Sequence, residues 1–329
     1  MLRLGKAREN VLKRSVLKEI HTKRKEVLSG AGVGNDSAVI STDDGYYSVT
    51  VNPMLLDTKD DAYLSVINAV NNIAAKGADP VSVMLSVLLP ESAEEADLKR
   101  IMREAEAACR DINIQISGGH TEVTKAVNRE IITVTAAGNL NEKYITKLAG
   151  ARPGDDIIVT KWIALEGTGI IARENKSALR DIFPGAFVEE ACDMAGGKYT
   201  SIAEEAAIVR DMDISAMHDM ASGGVYAALW ELAESSKVGL DVDLMKIPIR
   251  QETVEITEVY GVNPYEMHSG GSLIITAPNG QDIVDALNRE GFPAVIIGKI
   301  ISGADRILRN DDEVRYLDMP KPDEINKLF

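Results

Sequence analysis

The chain has 329 residues, a net charge of −15 at neutral pH, 45% apolar and 26% charged residues, and a mean hydropathy of −0.06. This length predicts two domains with ample hydrophobic core. No apolar run reaches the ~18 residues of a membrane span. The two cysteines are too few for a disulfide framework or a cysteine-rich zinc site. The acidic balance argues against bulk nucleic-acid binding. The N-terminus lacks the apolar stretch of a signal peptide, so with only two cysteines we expect a cytoplasmic protein with neither a nucleic-acid nor a membrane partner.

The N-terminal 26 residues form a basic segment. They hold nine lysines and arginines against three glutamates, a net charge of +6, which leaves −21 for the rest of the chain. Leu12, Val16 and Ile20 repeat at four-residue spacing and predict one amphipathic helix. Two interpretations remain open: a solvated helix face, or a helix that docks near phosphates or on an acidic partner.

Residues 1–150 are predicted to form the first domain. A glycine loop at 29–34 follows the basic segment, and a turn at 43–45 separates the first two strands. The predicted strands are 37–41, 46–51, 81–89, 112–116 and 130–137, and the predicted helices are 60–76 and 92–111. The strand at 81–89 is so apolar that we expect it to be buried on both faces or paired across an interface.

Residues 151–329 are predicted to form the second domain, which begins at a turn cluster at 151–155. The predicted strands are 157–160, 214–217, 240–244, 272–276 and 294–300. One helix is predicted to begin at 166, and further helices are predicted within 176–211. The remaining predicted helices are 224–237, 251–260 and 281–290. The tail at 303–329 predicts a short hairpin and a loose end. Helices and strands mix without strict alternation, which favours an α+β fold over a doubly wound parallel sheet.

Four glycine-rich junctions are candidates for binding chemistry. They are 32–36, 118–122, 166–169 and 219–224. Glycine lets backbone N–H groups approach an anion closely, and a helix N-terminus adds its dipole. Two of the junctions also carry an aspartate, which suits a polyphosphate bound with a divalent cation. The sequence lacks the P-loop pattern G-x-x-x-x-G-K-[ST].

The motifs also occur in a family-specific order. They are Gly32-Val-Gly34-Asn-Asp36, Thr50-Val-Asn52, Asn71-Asn72-Ile-Ala-Ala-Lys-Gly-Ala-Asp-Pro80, Gly118-Gly-His-Thr121, Arg152-Pro-Gly-Asp155, and His218-Asp219 with Gly223-Gly224. This order resembles the AIR synthase superfamily, which includes aminoimidazole ribonucleotide synthetase, selenophosphate synthetase, thiamine-monophosphate kinase and the hydrogenase maturation factor HypE. The resemblance spans about residues 5–300, and the segments 246–250 and 267–271 are most similar to the HypE branch.

The resemblance implies a two-domain α+β fold, with an N-terminal domain that pairs with a second copy into a dimeric β-barrel and a C-terminal α/β sandwich domain. It implies a homodimer that binds ATP and Mg²⁺. The implied reaction is phosphorylation of an acyl or amide oxygen on a small molecule or a protein-borne group, with Mg²⁺ neutralising the developing charge.

The resemblance also implies which residues form the site. Asp36 and Asp219 stand at catalytic, magnesium-binding positions, and Asn52 and Asn72 stand at two further metal-binding positions. The nucleotide would be bound by Gly32, Gly34, Gly118, Gly119, His120, Thr121, Gly167, Thr168, Ser222, Gly223 and Gly224. His218 and His268 are expected to have structural roles.

Two departures from the family leave two functions open. Asn52 and Asn72 stand where the family has aspartate, so neutral amides replace anionic ligands of a hard cation. The chain also ends without the tail cysteine on which HypE chemistry takes place. The first hypothesis is an ATP-dependent HypE-like enzyme of hydrogenase maturation. The alternative is a nucleotide-binding or scaffold homologue that has lost magnesium-dependent turnover.

Overall fold

Two β-sheets organise the chain, and each is assembled from its own half of the sequence. The computed structural model describes residues 5–56, 58–147 and 150–329. Both halves mix helices with largely antiparallel strands, which confirms the α+β prediction. Among the described residues, no helix is long and apolar enough to cross a membrane.

The first sheet has six strands. They are β1 (Val27–Ser29), β2 (Ala38–Thr42), β3 (Gly45–Met54), β4 (Asp79–Leu89), β5 (Gln115–Val123) and β6 (Ile131–Leu140). Their order is β1-β2-β3-β6-β4-β5, with β4 and β5 parallel and the other neighbours antiparallel. The helices of this half are α1 (Glu9–Ser15), α2 (Asp61–Ala74), α3 (Glu95–Asp111) and α4 (Glu142–Lys147).

Helices α2 and α3 cover one face of the first sheet. Helix α2 is buried along nearly its whole length, while α3 buries one stripe that includes Ile101 and Cys109. The other face of the sheet exposes apolar side chains, with Val51 on β3 at 63% and Met84 on β4 at 53%. Strand β4 is therefore not buried on both faces within a single chain.

The second sheet has seven strands. They are β7 (Asp156–Thr160), β8 (Ala216–Asp219), β9 (Gly239–Asp243), β10 (Leu273–Ala277), β11 (Ala294–Ile301), β12 (Arg306–Asn310) and β13 (Glu313–Tyr316). Their order is β13-β12-β9-β11-β7-β10-β8, and β9 and β12 pair in parallel. The helices of this half are α5 (Leu165–Glu174), α6 (Lys176–Arg180), α7 (Gly185–Asp193), α8 (Ala203–Val209), α9 (Gly224–Ser236), α10 (Gln251–Tyr260) and α11 (Gly280–Arg289).

Helices cover both faces of the centre of the second sheet. Ile157 and Ile274 pack in one apolar core with residues of α9, and Ile158 and Ile275 pack in another with residues of α8 and α11. Strands β7 and β10 therefore read as continuous apolar runs. The edge strand β8 of this sheet ends at the junction between the two halves.

The basic segment is not one long helix. Helix α1 ends at Ser15, a short 3₁₀ turn covers Leu17–Glu19, and extended chain follows to β1. The predicted helix was wrong because no core receives its apolar stripe: Val16 and Ile20 are 44% and 41% exposed.

Two further local predictions were wrong. The strand predicted to end at Ile116 continues as β5 to Val123, so the glycines at 118 and 119 lie within a strand. Gly119 allows this because a Cβ there would lie 2.1 Å from the backbone oxygen of Leu85 on β4. The tail is not loose, since Ile325 is buried in an apolar core.

Candidate functional site

A cavity of about 500 Å³ lies where the two halves meet. The loop before β2, strand β3 and helix α2 line it from the first half, and β8, the start of α9 and the C-terminal tail line it from the second. Gly34 permits this close junction, since it has φ +68° and an added Cβ would lie 2.5 Å from the backbone oxygen of Glu231 in α9. Gly32, Gly34 and Gly223 line an adjoining cavity of about 140 Å³.

Two carboxylates and one imidazole meet at this junction. Ligand-type atoms of Asp36, His218 and Asp219 all lie within 4.8 Å of one another. Asp36 comes from the glycine loop, and the other two residues end strand β8. The structure thus brings the two predicted aspartates, Asp36 and Asp219, together. It also places His218 beside them, although His218 was predicted to have only a structural role.

The two carboxyl groups have opposite pKa shifts. Burial raises the pKa of Asp219 to about 6, against the favourable charge of His218. Burial also acts to raise the pKa of Asp36, but the charges of Lys6, His218 and Lys76 outweigh it and leave that pKa below its ordinary value. The pair therefore combines one strong anion with one that gains a proton just below neutral pH.

Basic side chains that sequence reasoning missed surround the two carboxylates. Lys6 Nζ lies 3.9 Å from Asp36 Oδ1 and 2.8 Å from Glu231 Oε1. Burial lowers the pKa of Lys76, at the end of α2, while Asp36 and Asp219 act in the opposite direction. The site therefore carries resident cations of its own beside its anions.

Asn72 contacts Asp219 directly. With its amide oriented to donate, its nitrogen lies 2.9 Å from Oδ2 and 3.2 Å from Oδ1 of Asp219, and its oxygen accepts from Thr50 Oγ1 at 3.3 Å. In this orientation Asn72 stabilises a carboxylate and turns its own oxygen away from it. Asn52 lines the same cavity.

The N-terminus of α9 already holds an anion from the chain itself. The Gly223 N–H, expected to face a phosphate, donates to Asp323 Oδ2 at 2.6 Å. Asp323 Oδ1 also accepts from the backbone N–H groups of His268 at 3.2 Å and Ile325 at 2.9 Å. Asp323 thus fixes the C-terminal tail across the cavity, and Ser222 lines the cavity beside it.

A second polar group lines the far side of the cavity. His268 Nε2 lies 3.4 Å from Glu166 Oε2, and its Nδ1 lies 3.7 Å from Asp323 Oδ2. Asn68 donates to Glu166 Oε1 at 2.9 Å. Burial acts to lower the pKa of His268, but the charges and hydrogen bonds of Glu166 and Asp323 raise it to about 10. This histidine is therefore an imidazolium at neutral pH.

The remaining predicted residues lie away from the cavity. Gly118, Gly119, His120 and Thr121 are exposed on the edge strand β5, where His120 Nε2 lies 3.0 Å from Glu122 Oε2. Gly167 and Thr168 are buried in α5, and the Gly167 N–H donates to the backbone oxygen of His268. Gly224 is buried at the start of α9 with φ +65°.

The donor chemistry of the site fits a magnesium nucleotide. Mg²⁺ is commonly held by one or two carboxylates together with substrate phosphates and water. Asp36 and Asp219 supply two carboxylates, and the glycine-lined start of α9 adjoins them. With neutral amides at Asn52 and Asn72, these two carboxylates still match the number of protein ligands that Mg²⁺ commonly takes beside phosphates.

Comparison with known proteins gives the family. The family model for the N-terminal domain of AIR synthase related proteins matches residues 28–140, and that for the C-terminal domain matches residues 152–309. The carbamoyl dehydratase HypE of Rhizobium leguminosarum bv. viciae is 28% identical over 284 residues, 82% of this chain and 77% of the relative. The selenide, water dikinase of Rhizobium meliloti is 24% identical over 318 residues, 86% and 87% of the two chains.

Solved structures share the fold. A HypE–HypF complex matches with a TM-score of 0.73 at 18% identity, covering 94% of this chain and 99% of the other. HypE in complex with ATP matches with a TM-score of 0.70 at 19% identity, covering 97% and 96%. These likenesses, with the two family models, establish a two-domain AIR-synthase fold with two sheets.

Proposed function

The chain belongs to the AIR synthase related proteins, and from that premise we propose that it is an ATP-dependent enzyme that phosphorylates an acyl or amide oxygen, as a HypE-type protein of hydrogenase maturation. The observation that carries the proposal is the Asp36–Asp219 pair beside the N-terminus of α9. The cavity of about 500 Å³ at this point is of the size that small-molecule sites have.

In this proposal the phosphates bind at the α9 N-terminus, and Asp36 and Asp219 hold the magnesium ion. The helix N-terminus favours anions through its free N–H groups and its dipole. The adenine base of ATP lies at the apolar end of the cavity, which is lined by Met54, Leu56, Ile325 and Phe329. Asp323 must then give up the Gly223 N–H, since a phosphate oxygen and this carboxylate need the same donor.

The proposed chemistry is phosphoryl transfer. An acyl or amide oxygen forms a bond to the γ-phosphorus as the bond to ADP breaks, and the phosphorylated oxygen becomes a good leaving group. Mg²⁺ held by Asp36 and Asp219 would supply the positive charge that neutralises the transferring group. Burial raises the pKa of Cys109 to about 11 and also raises that of Cys192. Neither thiol is an accessible thiolate, so neither is expected to carry the group that is phosphorylated.

A second function, nucleotide binding without turnover, is favoured by one observation. The Asn72 amide donates to Asp219 where a metal-ligand position is expected, so the chain stabilises this carboxylate without a cation. In that function ATP binds, but no phosphoryl group is transferred.

ATP hydrolysis by the purified full chain distinguishes the two functions. The enzyme function predicts magnesium-dependent release of phosphate that Asp36→Ala abolishes and that Asp44→Ala, at an exposed turn, leaves unchanged. ATP binding without any phosphate release, with or without carbamoyl compounds as acceptors, would favour the second function.

The proposal includes a homodimer whose first domains, residues 1–150, share a β-barrel, with residues 151–329 as the second domain, in the cytoplasm. The exposed apolar side chains Val51 and Met84 on the outer face of the first sheet support it, because such faces are usually covered by a partner. A single chain has a mass of 35.6 kDa. Light scattering at micromolar concentration should give twice that mass. A monomeric mass, or a dimer that Met84→Lys leaves intact, would contradict the barrel.

A further inference from the structure

His218 has the geometry of a metal ligand. Its Nδ1 lies 2.7 Å from the backbone oxygen of Asp219, and a carbonyl oxygen only accepts, so Nδ1 carries a proton. With that proton on Nδ1, Nε2 is the ring atom that can coordinate a metal ion. Metal-binding histidines are commonly oriented in this way, by donating the other ring N–H to a backbone carbonyl or a carboxylate.

The free nitrogen of His218 points into the acidic cluster. The side chain is 8% exposed, and Nε2 lies 3.7 Å from Asp36 Oδ2 and 3.6 Å from Glu231 Oε2. Among the described residues Nε2 has no hydrogen-bond partner. A metal ion bound between Nε2 and the carboxylates would give this buried nitrogen the partner that it lacks.

The charges around the cluster leave room for such a cation. Lys6 Nζ donates to Glu231 Oε1 at 2.8 Å and lies 3.9 Å from Asp36 Oδ1, so it pairs mainly with Glu231 and not with Asp36. Asp36, His218 and Asp219 remain, with ligand atoms within 4.8 Å of one another. Three protein ligands leave further coordination positions for water or another ligand.

We propose that Asp36, His218 and Asp219 bind one divalent transition-metal ion of the Zn²⁺ or Co²⁺ type, through His218 Nε2 and two carboxylate oxygens, in the absence of nucleotide. Imidazole nitrogen suits zinc, cobalt and iron, whereas Mg²⁺ prefers oxygen ligands and water. The neutral amides of Asn52 and Asn72 strengthen this preference, because they remove hard anionic ligands and leave the imidazole. The inference does not depend on the proposed ATP chemistry.

Calorimetric titration of the chelator-treated full chain without nucleotide tests this site. We expect one Zn²⁺ or Co²⁺ per chain, bound at least about tenfold more tightly than Mg²⁺, with a visible Co²⁺ absorption spectrum that reports nitrogen ligation. His218→Gln should weaken Zn²⁺ binding by about 10–100-fold or more. The matched control His21→Gln changes an exposed histidine and should leave binding unchanged.

Asp36→Asn provides an independent variant if His218→Gln fails to fold, since Asp36 is partly exposed. It should weaken Zn²⁺ binding by a similar factor. Mg²⁺ binding as tight as Zn²⁺ binding, no stoichiometric Zn²⁺ binding, or Zn²⁺ binding that both variants retain would each overturn the inference. Because no ATP is present, none of these results bears on the proposed phosphoryl transfer.

Discussion

Asn72→Asp is the substitution that examines the charge balance of the site most closely. Its amide nitrogen lies 2.9 Å from Asp219 Oδ2, so the variant replaces a donor with a second carboxylate at nearly the same place. Two unit charges ~3 Å apart repel by on the order of 5 kcal/mol at an effective dielectric of ~20, before relaxation. Uptake of a proton relieves much of this, because burial already raises the pKa of Asp219 to about 6.

We therefore expect metal-free Asn72→Asp to lose about 2 kcal/mol of unfolding free energy, or roughly 4–8 °C in Tm. With Mg²⁺ and ATP the added carboxylate gains a cation, so affinity should rise by ~1 kcal/mol, about fivefold. Thermal melts and calorimetric titrations, each with and without Mg²⁺, measure both effects.

Asn71→Asp is the matched control for this prediction. Asn71 is buried, donates to the Thr200 backbone oxygen at 2.8 Å and accepts from the Ile202 N–H at 3.0 Å. Its substitution should lower stability equally with and without Mg²⁺. If Asn72→Asp melts at the wild-type temperature without Mg²⁺ and binds Mg–ATP no more tightly, the contact with Asp219 and the charge argument built on it are wrong.

Three further predictions concern neighbouring side chains. Mg–ATP affinity should fall as pH drops through about 6, where Asp219 gains its proton, and Asp219→Asn should remove this dependence; an unchanged profile would exclude Asp219 as a ligand. The stability that protonated His268 contributes is complete below its unfolded pKa of ~6.5 and is lost as the pH rises towards 10. His268→Gln should therefore flatten the pH dependence of the unfolding free energy, measured with urea, over that range. A variant that loses stability with pH as steeply as the wild type would contradict this. Asp323→Asn should increase ATP affinity several-fold, because a neutral amide oxygen competes less well than a carboxylate for the Gly223 N–H; unchanged affinity would place the phosphates elsewhere.

Local signals in the sequence predicted the framework well where pattern and packing agree. The apolar runs that became β7 and β10 are buried on both sides, and the amphipathic spacing of α3 matches its buried stripe. The prediction of one long N-terminal helix was wrong. The apolar side chains have helical spacing, but no core buries them.

The site was predictable in its motifs but not in its long-range partners. Asp36 and Asp219 meet because two glycine-containing turns bring distant segments together. Lys6 and Asp323 come from opposite ends of the chain, and nothing in their local sequence indicates that they share a cavity. Asp323 does have one weak signal, since it follows Pro322 and caps the last turn by accepting from the Ile325 N–H.

Calorimetric titration of the purified full chain with ATP, with and without Mg²⁺, determines whether Asp36 and Asp219 form a magnesium-nucleotide site. We expect one ATP per chain, bound more tightly with Mg²⁺ than without it. Asp36→Asn should remove the magnesium effect, while Asp44→Asn, at an exposed turn, should leave it unchanged. Absence of ATP binding, or magnesium-dependent binding that Asp36→Asn does not alter, would contradict a nucleotide site at Asp36 and Asp219.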